Sequence, residues 1–298
     1  IGNFDGIHNG HKALIRKVVQ LANQNARLAG LITFTPHPRV FFSGEKNFSQ
    51  INDEVTKQDI LSRQDLDILF KIKFNKQLSL MPPDVFFNHV LKNGINVSHI
   101  IVGSDFKFGY KRSGNIEILK YLSKENNIGF DVIEKQANSL SKTYSSSSIR
   151  EYLLQGNIAE VNKMLGHYWY TMGVVITGAN KGNQIGYPTI NIRLDGSIKF
   201  AHGIYATNVY IDSKRYQGAT YYGKRPTYEG TEEFLETYIF DFNSNIYDHE
   251  VKIEFIDFVR YDQTYESDNK LKNQMKIDCE NVLIKLQYYD KKFSLLDK

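Results

Sequence analysis

The chain opens Ile1-Gly2-Asn3-Phe4-Asp5-Gly6-Ile7-His8-Asn9-Gly10-His11 and runs at once into Lys12-Ala13-Leu14-Ile15-Arg16-Lys17-Val18-Val19. A short apolar lead, a glycine-bearing turn, two histidines around a glycine and then a helical run describe a strand-to-helix junction of the phosphate-binding kind. His8 and His11 both fall at a helix entry, where exposed amides and the helix dipole favour anions. Gly10 lets backbone approach a phosphate with no side chain in the way. The plainer reading of the same letters is that His8 caps the helix and His11 packs beneath it. Because the chain begins without methionine and inside this pattern, Ile1-Gly2 is expected to be the tail of a strand whose earlier residues, with any targeting segment, lie outside the sequence.

Working outward, the apolar run 26–34 (ARLAGLITF) reads as a buried strand ended by Thr35-Pro36-His37-Pro38. A helix is expected over 53–64, and 66–74 (LDILFKIKF) alternates as a strand with one polar side. Pro82 and Pro83 open another helix through Leu91, 97–102 (VSHIIV) is the next strand and 115–124 the next helix. Strands alternating with helices predict a parallel, Rossmann-like sheet covered on both faces. After Arg150 a polar helical segment leads to Leu165, and the pattern changes. Short runs rich in Tyr, Val, Ile, Thr and Phe follow, namely YTMGVVIT, YPTINI, IYATNVYI, QGATYYG, FLETYIFDF and VKIEFIDFV. Six such runs separated by turn residues predict an antiparallel β-barrel or sandwich, and 271–288 a terminal helix. The expected domains are therefore 1–165 and 166–298.

The totals agree with two soluble domains, since 298 residues with 41% apolar content can fill two cores. Lys and Arg number 37 against 33 Asp and Glu, and the resulting +4 is scattered. That balance suits anionic small molecules and argues against nucleic acid as a partner. The single cysteine, Cys279, forms no internal disulfide, which points to a reducing, cytoplasmic setting. No apolar run approaches the roughly 20 residues of a membrane span.

Further stretches carry chemistry. Ser145 to Ser148 with Arg150 at a helix start read either as a second phosphate clamp, because guanidinium pairs bidentately with phosphate oxygens, or as a connector before a helix with Ser147 or Ser148 as its N-cap. Val102-Gly103-Ser104-Asp105-Phe106-Lys107-Phe108-Gly109 combines aromatic faces with tight turns and suits a flat ring. In the second half, Gly178, Lys181, Gly182 and Gly186 lead into Tyr187-Pro188-Thr189-Ile190-Asn191, a glycine-rich wrap before a strand. Thr189 and Asn191 are two apart and so face one side, where their oxygens suit Mg2+ between ATP phosphates.

The opening stretch resembles the HxGH signature of nucleotidyltransferases, in the FDGxHxGH form of prokaryotic bifunctional riboflavin kinase/FAD synthetases. Thr33 to Pro38 is similar to that family's TFxPHP, Val102 to Gly109 to its VGxDFxFG, and Tyr144 to Arg150 to its SSTxIR, with Ser147 in place of threonine. Gly178 to Asn191 resembles GxxxGxxxGxPTAN, with Ile190 in place of alanine. Gly223 to Thr227 and Leu235 to Phe242 are similar to GxxPT and LExxIxDF. The resemblance implies adenylyl transfer from ATP to FMN in the first domain. There His8 and His11 act on ATP with Asn3, Asp5, Gly6, Gly10, Ser146, Ser147 and Arg150, while Phe34, Pro36, His37, Asp105 and Phe106 hold the flavin. It implies riboflavin phosphorylation in the second domain. There Glu236 is the general base, Gly178, Lys181, Gly182, Gly186 and Pro188 bind ATP, Thr189 and Asn191 hold Mg2+, and Arg260 and Tyr265 stand on the flavin side. Riboflavin, FMN, FAD, ATP, ADP and pyrophosphate are the implied partners, with flavins as substrates and products. Tyr221 and Tyr222 depart from the usual Asn and aliphatic residue, 261–269 is unusually polar, and His167 replaces a frequent Arg. The alternatives left by these departures are an FAD synthetase with impaired kinase, or a non-catalytic flavin sensor.

Overall fold

A computed structural model describes residues 1–44, 47–134, 144–178, 186–227 and 230–294. Packing divides the chain into two units, 1–48 with 57–145 and 49–56 with 146–298.

In the first unit α1 (Asn9–Gln24) leads into β1 (Gly30–Thr35), which pairs in parallel with β2 (Ile68–Lys73). α2 (Pro38–Ser43) and α3 (Glu54–Ser62) lie between them in sequence. α4 (Lys76–Ser79) and α5 (Pro83–Phe86) follow, and the latter continues as a π-helical run over Phe87–Ile95. β3 (His99–Gly103) then pairs in parallel with β4 (Gly129–Ile133) across α6 (Ile116–Glu125). Ile1 and Gly2 bond to both strand pairs, for Gly2 N–H donates to Ile32 O of β1 (3.0 Å) and Ile1 N donates to Ile101 O of β3 (3.4 Å). Beside them a cavity of about 620 Å3 is lined by Val18, Leu21, Ile32, Phe70 and Ile101 among others. A core of Ile32, Phe86, Phe87, Leu91, Ile100, Val102, Phe108 and Leu119 fixes the strands to the helices.

Three of the elements named in this unit, α2, the one-turn α4 and β4, lie beyond the sequence expectation. The prolines that end β1 also start α2, with Pro38 in its first turn, where a missing N–H costs nothing. β4 is half-buried at every residue, so it shows none of the alternation that marks a strand in sequence.

The second unit is built on six strands: β5 (Trp169–Ile176), β6 (Thr189–Arg193), β7 (Gly203–Ile211), β8 (Lys214–Thr227), β9 (Gly230–Ile239) and β10 (Glu250–Tyr261). They close into a barrel in the order β10-β5-β6-β9-β8-β7, all antiparallel. Trp169, Tyr205, Tyr222 and Phe255 are fully buried among its largest side chains. α7 (Ser146–Leu154) and α8 (Ile158–Leu165) belong to this unit by packing, although the sequence expectation puts them before the boundary. The reason is visible at Asn162, whose amide donates to Phe255 O (3.0 Å) and whose oxygen accepts Trp169 N–H (2.7 Å). The terminal helix α9 (Asp268–Ser294) packs Val282 and Leu286 on Ala206 and Ile256 of the outer barrel face.

Trp169 joins these layers, because its ring meets Phe200 and Phe255 at 4.8 and 4.6 Å and its Nε1–H donates to Ile51 O (2.9 Å). Trp169→Phe is expected to cost about 2 kcal/mol, from the buried carbonyl left without its donor and the smaller ring. Urea denaturation followed by circular dichroism checks this; an unchanged midpoint contradicts the account.

Candidate functional site

The junction that opens the chain is a turn under strain. Phe4, Gly6 and Ile7 have positive φ values of 49°, 85° and 39°. Glycine takes such a conformation freely, whereas Phe4 and Ile7 do not. Their side chains are 1% and 0% exposed, and that burial holds the turn in place. It delivers His8 to the cap of α1, where Nδ1 accepts His11 N–H (3.3 Å). The His11 ring stacks on His8 at 3.8 Å between centroids, and its Nδ1 is buried without a hydrogen-bond partner among the described residues. The capping reading and the site reading therefore describe the same geometry.

Charge follows from burial. Desolvation lowers His8 from 6.5 to about 4, against the opposing pull of Asp5 and Asp105. His11 lies well below its usual value through burial, then through His8 and Lys57. Both imidazoles are thus neutral near pH 7, and His8, accepting at Nδ1, carries its proton on Nε2. The cation here is one that sequence reading passed over. Lys57 is 5% exposed and donates to Thr33 Oγ1 (2.8 Å), which in turn donates to Asn3 O (3.2 Å). The available signal was helical spacing, for Lys57 shares a face with buried Ile60 and Leu61.

Aromatic surfaces gather in the same unit. Phe34 at the end of β1 contacts Phe74 and Phe86. Thr35-Pro36 is a cis peptide, and His37 caps α2 through Nδ1 while stacking on Phe48 at 4.7 Å. Phe106 stacks on Phe108 at 5.6 Å, and Asp105 is exposed beside it. Ser146, Ser147 and Arg150 form the first turn and a half of α7 in the second unit, with Arg150 Nε donating to Ser49 O (2.5 Å).

The barrel assembles its candidates by register. Arg260 pairs with Ile204, Ile204 with Tyr221, Tyr221 with Glu236 and Glu236 with Asn191. Directly paired residues share a face, so these five form one row across β10, β7, β8, β9 and β6, with about 4.8 Å per step. Asn191 is 5% exposed and its Oδ1 has no hydrogen-bond partner among the described residues. A Cβ on Gly178 would stand 2.0 Å from the Asn191 amide, so glycine at this position makes room for that side chain. Thr189 lies one row away opposite Tyr238, beside a cavity of about 350 Å3 that Pro188, Phe242, Asn245 and Tyr247 also line. At the far end Arg260 holds Asp278 of α9 through Nε (2.7 Å) and Nη2 (2.6 Å), with the Tyr265 ring 5.9 Å from its guanidinium. Gly186 has φ 88° and is exposed; Lys181 and Gly182 lie outside the described residues. Among the described residues no cluster of three or more His, Cys, Asp or Glu is placed to hold a metal ion.

A family model described as FAD synthetase matches residues 1–148, and one described as riboflavin kinase matches 165–286. A bifunctional riboflavin kinase/FMN adenylyltransferase of Buchnera aphidicola is 33% identical over 95% of the chain and 91% of its own length. One of the same name from Haemophilus influenzae is 34% identical over 94% of the chain and 91% of its own length. A crystal structure described as a macrolide-efflux protein from Streptococcus pneumoniae superposes with a TM-score of 0.83 at 30% identity, covering 94% of this chain and 91% of that one. Among the described residues here, no helix is long and apolar enough to cross a membrane.

The buried histidines make stability depend on pH. With His8 at 6.5 unfolded and about 4 folded, the unfolded chain binds more protons in that window. Stability from the neutral ring is present above pH 6.5 and is lost as pH falls towards 4, by at most about 3 kcal/mol. His8→Asn, which retains a capping side chain, is expected to lose less stability than wild type between pH 7 and 4.5 in denaturant titrations. Parallel losses would contradict this.

Proposed function

Because the chain belongs to the bifunctional riboflavin kinase/FMN adenylyltransferase family, we propose that it carries out two successive ATP-dependent steps. Riboflavin and ATP give FMN and ADP in the barrel; FMN and a second ATP give FAD and pyrophosphate in the α/β unit.

The observation that carries the reading is the buried Oδ1 of Asn191, which has no hydrogen-bond partner among the described residues and lies one strand from Glu236. A hard oxygen donor left without a partner among the described residues, with the Thr189 hydroxyl on the same strand face, fits Mg2+, which takes its remaining oxygens from phosphates and water. When bound, Mg2+ neutralises charge on the ATP phosphates. Glu236 takes the proton of the riboflavin primary hydroxyl as its oxygen bonds to the γ-phosphorus and the bond to ADP breaks. Gly178, Lys181, Gly182, Gly186 and Pro188 wrap the nucleotide, and the cavity beside Thr189 gives it room. Arg260 and Tyr265 bound the flavin side.

In the second step a phosphate oxygen of FMN attacks the α-phosphorus of ATP and pyrophosphate leaves, with no covalent enzyme intermediate. His8 and His11, neutral by burial, act as positioned hydrogen-bond partners, so positive charge is left to Lys57. Asn3, Asp5, Gly6 and Gly10 shape the turn at the phosphates. The flat flavin rests on Phe34, Pro36, His37 and Phe106, with Asp105 at its edge. A cytoplasmic location fits a consumer of ATP with a single free cysteine.

The departures at Tyr221, Tyr222 and 261–269 favour one rival, an adenylyltransferase whose kinase is silent. Incubation with riboflavin, ATP and Mg2+ followed by chromatography decides: FMN rising and then yielding to FAD is expected, whereas FAD from supplied FMN alone would establish the rival. Glu236→Gln is expected to lower FMN formation by about 10²- to 10⁴-fold and leave FAD synthesis from supplied FMN intact. His11→Ala is expected to slow adenylyl transfer by about 10²-fold, with FMN accumulating. A matched loss of both activities in either variant would argue against separate sites.

A further inference from the structure

Between Glu236 and Arg260 the barrel row holds two residues, Tyr221 and Ile204. Tyr221 is half-buried, and its hydroxyl donates to Asp262 Oδ2 (3.0 Å). A Cβ on Gly223 would stand 2.0 Å from that hydroxyl, so the strand keeps space for the phenol to lie along it. Burial first, then Asp262 and Glu236, raise the phenol's pKa, so it remains a protonated donor across the working range. Asp262 is the first residue beyond β10, and its own N–H donates to His202 O (3.1 Å) at the entry to β7. The connection from β10 to α9 is thus pinned at Asp262 by a backbone bond and by Tyr221, and a few residues on by Tyr265 against Arg260.

The order along the row says what this pin faces. Resting on the kinase reading above, the nucleotide and its metal lie at Asn191, and Glu236 touches the attacking hydroxyl. In-line transfer places donor and acceptor on opposite sides of the moving phosphorus. The body of the acceptor therefore extends from Glu236 away from Asn191, over Tyr221 and Ile204 towards Arg260. We propose that Tyr221 and Asp262 form a clasp that closes the β10–α9 connection over this acceptor channel and sets the affinity for riboflavin. Tyr221 is a positioning residue in this scheme: its ring floors the channel, its hydroxyl holds the roof, and it takes no part in proton or phosphoryl transfer.

The test is steady-state FMN formation by wild type, Tyr221→Phe, Asp262→Ala and the double variant, with riboflavin and ATP varied separately. Each single variant is expected to raise the riboflavin KM about fivefold, as for loss of one hydrogen bond, with kcat within about twofold and the ATP KM unchanged. The double variant is expected to be no worse than either single one, since each breaks the same contact. FAD formation from supplied FMN reports that the variant chain is intact. An unchanged riboflavin KM, single effects that multiply in the double variant, or a loss confined to kcat overturns the clasp. A wild-type chain that makes FAD from FMN but no FMN from riboflavin overturns the kinase reading, and the clasp with it.

Discussion

Closure of six strands into a barrel leaves no freedom of register, and most of the second unit follows from that constraint. A slip of one residue in any pair would turn every side chain of that strand to the opposite face. Trp169, Tyr205, Tyr222 and Phe255 fill the inside and resist such a slip. What the interior fixes, the exterior inherits: Asn191, Glu236, Tyr221 and Arg260 come from four strands and 70 positions of sequence, yet they form one row. α9 then lies on that outer face and supplies Asp278, 3% exposed, as the partner that keeps Arg260 at the end of the row. Breaking this pair would leave a buried carboxylate without its partner, which is costlier than the pair is worth.

The first unit meets a different constraint. Its junction buries His8, Lys57 and the Nδ1 of His11 in a small space, and burial permits few charges there. The resolution is to keep both rings neutral and to hold one ammonium against a hydroxyl, Thr33, that is itself tied to the backbone of the strained turn. The junction thus sets two neutral rings near one buried lysine. It avoids the repulsion that three adjacent cations would bring.

Much of this was legible in the sequence wherever function left fixed letters on a regular period. All six barrel runs became strands because each was bounded by turn residues and half its side chains faced a core. The two histidines were readable because glycine and the following helix define their geometry. Lys57 was not, since a lysine within a helix is ordinarily solvated and only tertiary packing buries it. β4 escaped because uniform half-burial has no period. The row itself was beyond reach: Thr189 and Asn191 share a face by local alternation, but the register that sets Asn191 opposite Glu236 is a property of the closed barrel.

The adjacent departures at Tyr221 and Tyr222 show how far the alternation rule divides two neighbours with the same side chain. Tyr222 points inward, is 0% exposed and stacks on Phe200 at 3.7 Å with the rings 9° from parallel. Its hydroxyl reaches Ile198 O (3.4 Å), so the larger ring in an aliphatic position is absorbed by an aromatic core and a satisfied polar tip. Tyr221 points outward beside Glu236 and ends on Asp262, in the very segment whose polar composition also departs from the family pattern. An outward phenol at this position requires an acceptor within reach, and an aspartate at the start of the connection provides one. The two departures on the outer face are therefore coupled by a single hydrogen bond, whereas the one on the inner face is accounted for by packing alone.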